Sequence, residues 1–208
     1  MQRFELEHTL RAAGDIAKMD EFIIIGSQAI LGQFPSAPAV FLKSNEADMY
    51  PRQDPDKAIE IDGAIGERSI FHITNGYYVH GVGPDTAVLP PGWEDRLIPV
   101  CNENTRNIKG QCLEVHDLAI SKLIAGRDKD LEFVKELLSH KMANASRLEQ
   151  LAKTVAVPQQ LGELLLHRIW RLEGEVAAPN PPLAQSLDAT GKPIPGQSKN
   201  QRPPGITD

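Results

Sequence analysis

The chain has 208 residues and carries 22 Lys+Arg against 28 Asp+Glu, a net charge of −6. That acidic balance excludes a sequence-independent coat on nucleic acid, which needs surplus cations against phosphates, but leaves room for a local basic patch. Two cysteines exclude a disulfide scaffold, and with no apolar run near the roughly 18–20 residues of a bilayer span and no basic leader before an apolar stretch, a cytoplasmic protein without a membrane partner is expected.

Hydrophobic residues make up 41% and aromatics only 5%, so the core must be mainly aliphatic. In chain order, Leu6, Leu10, Ala13 and Ile16 recur at helical spacing and predict an amphipathic helix over 5–17. Phe22 to Ile25 is a short β-branched run closed by Gly26, the pattern of a buried strand. Gln28 to Gln33 predicts a short helix. Ala39 to Leu42 and Ala47 to Tyr50 read as strand. Asp54 to Ile65 reads as helix, with Pro55 just inside its start. Ser69 to Val82, rich in Ile, Phe, Tyr and Val, predicts strand, and Arg96 to Cys101 with Gln111 to Val115 predicts a hairpin.

From Asp117 the period becomes helical. A first helix ends near Gly126, and a second covers Leu131 to His140 with Asp128 or Asp130 as its cap. Ser146 to Val155 is a third, and Pro158 opens a fourth. The expected organisation is an α/β domain (1–115), then a helical domain (116–174). Residues 175–208 hold 7 of the 16 prolines and no aromatic side chain, which predicts a disordered tail.

Two features bear on chemistry. The first is a strand followed by Gly26-Ser27 and a helix start. Glycine permits a tight turn, and a helix N-terminus with a hydroxyl beside it attracts phosphate. The same residues also make a plain strand-to-helix turn. The second is Ser44-Asn45-Glu46-Ala47-Asp48. In a strand, Ser44, Glu46 and Asp48 share a face. Two adjacent carboxylates repel unless a cation lies between them, and Mg²⁺ takes one or two carboxylates plus phosphate oxygens. The alternative is a solvated edge strand.

Taken together, Gly-Ser after a buried strand and acid-x-acid about twenty residues later resemble the polymerase-β-type nucleotidyltransferase superfamily. Asp117-Leu118-x-x-Ser121-Lys122-Leu123-x-Ala125-x-Arg127-x-Lys129-Asp130 is similar to a stretch of a bacterial branch related to abortive-infection and toxin–antitoxin nucleotidyltransferases. The resemblance implies a nucleotidyltransferase-like mixed sheet with flanking helices, followed by a helical bundle. It implies that Gly26, Ser27 and Ser44 bind nucleotide, and that Glu46 and Asp48 bind Mg²⁺ or Mn²⁺. Lys122 would contact the triphosphate, with Asp130 positioning it. The implied partners are a nucleoside triphosphate, an RNA (tRNA) or protein hydroxyl acceptor, and a cognate partner protein.

Geometry adds a condition. On one continuous helix Lys122 and Asp130 would lie about 12 Å apart along the axis and about 80° apart around it. A break near Gly126 is required to bring them together; otherwise Lys122 is a solvated helix lysine and Asp130 an N-cap. The sequence also departs from the superfamily. Its first acid is Glu, and Ser69 to Val82 contains no third carboxylate. This raises a second expectation, a non-catalytic nucleotide- or protein-binding module. His116-Asp117 resembles a phosphohydrolase metal dyad, but His72, His80 and His140 fall at no recognisable spacing to complete it.

Overall fold

The computed structural model describes residues 1–178, and its first element is a helix, α1 (Arg3–Ala17), which buries Leu6, Leu10, Ala13 and Ala17. Strand β1 (Glu21–Ile24) follows, and Gly26 turns the chain into a 3-10 turn (Ser27–Ala29) and the short helix α2 (Ile30–Gln33). Next come β2 (Glu46–Pro51), α3 (Ala58–Ile65), α4 (Ile70–Asn75) and β3 (Tyr78–Gly81). Strands β4 (Ile98–Val100) and β5 (Lys109–Cys112) pair as the expected hairpin. The chain then becomes helical: α5 (Val115–Ala125), α6 (Asp128–Ser139), α7 (Ala145–Ala152) and α8 (Gln159–Ala177).

The five strands form one mixed sheet in the order β3-β2-β1-β5-β4. β1 is the middle strand, antiparallel to β2 and parallel to β5, while β2 and β3 run parallel. Phe22, Ile23 and Ile24 have neighbours on every side, which explains an uninterrupted apolar run there. On β2 the pleat separates residues: Ala47 and Met49 are fully buried, and Glu46 and Asp48 are partly open on the opposite face. Helices α1 and α3 pack against β2 and β3; α2 packs on β4 and β5 and meets α5.

The chain passes from sheet to helix between β5 and α5, which starts at Val115. The halves nevertheless share a core, because Leu118, Ile120 and Leu123 of α5 join Ile23 and Ile24 of β1 in one apolar cluster. Met1–Val176 form one compact unit. Truncating such a buried aliphatic residue to Ala costs about 2–5 kcal/mol. Helix α8 runs three residues past 174, and the tail expected to be disordered lies, beyond 178, outside the described residues.

Two segments differ from expectation. Ala39–Phe41 is a 3-10 turn rather than strand. Pro38 starts it, and the buried Phe41 anchors it. Ser69 to Val82 is not one strand but α4 followed by β3. Ser69 Oγ accepts the His72 N–H at 3.1 Å, and Gly76 ends the helix at φ 78°. A Ser N-cap and an Asn-Gly stop outweigh the β-branched composition between them.

Candidate active site

Strand pairing sets one wall of the site. In the β2–β3 register Glu46 lies opposite Tyr78, and Asp48 opposite His80. Each acid meets the side chain across from it. Tyr78 donates its hydroxyl to Glu46 Oε2 at 3.0 Å, and His80 Nδ1 lies 3.0 Å from Asp48 Oδ1. Burial, and then the bond to Glu46, push the Tyr78 phenol up to about 12, so it remains a donor. Burial and the Glu46 charge raise the Asp48 carboxyl, against the opposing pull of His80 and Lys122.

Ligand atoms of Glu46, Asp48 and His80 lie within 4.8 Å of one another. Two carboxylates and an imidazole held this close are a donor set for a divalent cation, and a cation would relieve the repulsion that raises Asp48. The residues present therefore fit a divalent cation of the kind that the resemblance implies. Gly26 lets the Ser27 turn come close. Its φ is 64°, and a Cβ there would strike Asp48 Oδ2, so any other residue is excluded on both counts.

The opposite wall comes from the α5–α6 junction. Gly26's counterpart here is Gly126, at φ 66°, which ends α5 and donates its N–H to the Lys122 carbonyl. The chain reverses, and Lys122 Nζ donates to Asp130 Oδ1 at 3.2 Å and to Ser27 Oγ at 2.9 Å. Arg127 Nε donates to Asp130 Oδ2 at 2.5 Å. The residue at the cap of α6 is Arg127, not Asp128 or Asp130; the Asp130 carboxylate is taken up by the two cations instead. Burial pulls the Lys122 amine below its ordinary value despite Asp130. Burial would raise Asp130, but Arg127 and Lys122 outweigh it and hold the carboxyl low. From α8, Arg168 donates to the Leu123 carbonyl at the end of α5.

Between the walls lie two cavities of about 380 and 370 Å³ that share Ser27, Glu46, Lys122, Lys129 and Asp130. They form one two-lobed cleft. Gly26, Asp48, His80 and Arg127 line one lobe, while Val40, Phe41, Ser44 and Phe133 line the other. The structure thus brings Gly26, Ser27, Glu46, Asp48, Lys122 and Asp130 together. Ser44 is set apart in the second lobe, where its hydroxyl accepts the Glu46 N–H at 3.2 Å.

Two residues that sequence reasoning missed are Tyr78 and His80. Their i, i+2 spacing matches that of Glu46 and Asp48, but the signal was hidden because the start of β3 was misplaced. The His116-Asp117 pair does not form a dyad with them. His116 bonds Glu114 at 2.9 Å and accepts the Asn144 N–H, and buried Asp117 pairs with Arg96 at 2.7 Å.

No helix among the described residues is long and apolar enough to cross a membrane. No curated protein and no solved structure matches the chain. One family model does, over residues 4–163, a span that holds both walls of the cleft; its description is "Nucleotidyltransferase of unknown function (DUF6036)", and the chain belongs to that family.

Proposed function

We propose that the protein transfers a nucleoside monophosphate from a nucleoside triphosphate to a hydroxyl of an RNA, such as a tRNA end, or of a protein side chain, with Mg²⁺ or Mn²⁺ bound by Glu46 and Asp48. The observation that carries this reading is the position of Lys122: a buried ammonium held by Ser27 and Asp130 on the cleft wall facing the two acids. The acceptor oxygen would form a bond to the α-phosphorus, the bond from that phosphorus to the bridging oxygen of the β-phosphate would break, and pyrophosphate would leave while the hydroxyl proton passes to solvent.

Each residue has a role in that displacement. Ser27 donates its hydroxyl to the β,γ-phosphates, and Gly26 gives them room. Lys122 meets the charge that grows on the leaving pyrophosphate. Asp130 keeps the lysine charged and in place, and Arg127 anchors Asp130. Tyr78 orients Glu46. A divalent cation at the two acids supplies charge neutralisation along the triphosphate. The rest is positioning, as in other phosphoryl transfers. Val40, Phe41 and Phe133 give the second lobe an apolar wall suited to a nucleoside. A related branch acts in toxin–antitoxin pairs, which makes a cognate partner protein part of this reading.

A second reading, a module that binds nucleotide without turnover, is favoured by one observation: the β3 position facing Asp48 holds His80 rather than an acid. One experiment decides between them. The protein is incubated with each α-labelled nucleoside triphosphate, Mg²⁺ or Mn²⁺, and RNA or protein acceptors. Label joined covalently to an acceptor, and weakened by Asp48→Asn, is the expected result. Binding with no labelled product would leave the module. Failure of every triphosphate to bind would remove both.

A further inference from the structure

We infer that His80 is the third donor of the cation site, and that its nitrogen makes the site select a first-row transition dication over Mg²⁺. The inference rests on the reading of Glu46 and Asp48 as metal ligands.

The geometry supplies the position. Backbone pairing puts His80 directly opposite Asp48, as it puts Tyr78 opposite Glu46. The two β3 side chains are not equivalent, however. Tyr78 touches Glu46 as a hydroxyl donor and has no further donor set to join. His80 has an imidazole, whose nitrogen lone pair is a common metal ligand. Its ring lies beside Asp48 and lines the same lobe as Gly26, Ser27 and Lys122. Its side chain is 53% exposed, so core packing does not account for it. Ligand atoms of all three side chains lie within 4.8 Å of one another. That is close to the span of a single first-row ion, whose ligands sit about 2.0–2.2 Å from the metal.

The chemistry supplies the selectivity. Mg²⁺ is small and hard, prefers oxygen, and keeps its waters reluctantly exchanged. One or two carboxylates with substrate phosphate oxygens and water suit it. Exchanging one oxygen donor for imidazole favours ions that accept nitrogen, and affinity for such ions rises along the first transition row. His80, standing on β3 where no third acid is present, is therefore the residue that sets which ion the site takes.

The test uses the full chain with Mn²⁺, alone and with each of the four α,β-methylene nucleoside triphosphates. Pulsed electron paramagnetic resonance reads nitrogen coupling to the bound Mn²⁺, and titration with Mg²⁺ reads the Mn²⁺/Mg²⁺ preference by displacement. Wild type is expected to show an imidazole nitrogen coupling. His80→Asp, at a half-exposed position that tolerates a polar residue, is expected to lose the coupling and to lower the preference for Mn²⁺ at least about tenfold; circular dichroism checks that it folds. Bound Mn²⁺ with no nitrogen coupling, or a preference unchanged in His80→Asp, overturns the inference and leaves the nucleotidyltransferase reading standing. Absence of Mn²⁺ binding under every condition, nucleotide included, overturns both.

Discussion

Two buried aspartates, each paired with a cation, stand at different places in this molecule. Asp117 is enclosed, and Arg96 grips it with two bonds of 2.8 and 2.7 Å while also reaching the Pro91 carbonyl. Asp130 is equally buried, yet its partner Lys122 lies against the cleft. A lysine ammonium has three donors, and Ser27 and Asp130 take up two of those of Lys122. The first pair is saturated and lines neither lobe. The second lines the cleft with the two carboxylates, its ammonium also standing 4.5 Å from the centre of the Phe133 ring. The contrast separates a charge pair that ties the fold together from one that lines an open cleft.

The largest effect is expected at the saturated pair. Removing one partner of a buried ion pair leaves an uncompensated charge, at about 3–5 kcal/mol. Arg96 is a quarter exposed, which favours the lower end. Asp117→Ala should lower the melting temperature by about 6–12 °C, from about 3 kcal/mol at roughly 2–4 °C each, with nucleotide affinity in the surviving native state unchanged. Calorimetric melting and a binding isotherm check the two halves of that statement.

Lys122→Met comes next and should behave the other way round. Asp130 keeps Arg127, so the melting temperature should move by less than about 4 °C. Turnover should fall about 100- to 1000-fold, the loss typical of one charge-stabilising donor. If this variant melted as early as Asp117→Ala and kept its turnover, the distinction between the pairs would be gone.

The smallest effect is on pH. Burial holds the Lys122 amine below its ordinary 10.5. Just below 10.5 the unfolded chain therefore binds more protons there than the native one, and native stability gains from rising pH. Lys122→Met should lack that gain. Melting curves of both proteins should diverge in slope as pH rises toward 10.5, with wild type rising relative to the variant.

The cleft was legible where local pattern carries the geometry. Period two on β2 fixes Glu46 and Asp48 to one face, and helical arithmetic demanded the break that Gly126 provides. His80 was illegible because its importance lies in a partner 32 residues away, across a strand whose start was hidden by an N-capped helix. The second lobe was illegible for a similar reason. Phe41 stands in a turn that composition assigned to strand, and it meets Phe133 at 5.1 Å between ring centroids only once α6 has folded back. Ser44 has the parity of the acid face and lines a lobe with Glu46, but it precedes β2 and its hydroxyl accepts the backbone N–H of Glu46.

Arg168 has a consequence for the order in which the protein is made. Its guanidinium bonds the carbonyls of Leu123 and Ile124 and lies where a Cβ on residue 126 would have to go. The reversal between α5 and α6 is thus clamped by an element that leaves the ribosome more than forty residues later. A chain that stops short of α8 carries that reversal, and the wall it forms from Lys122 and Asp130, without its clamp.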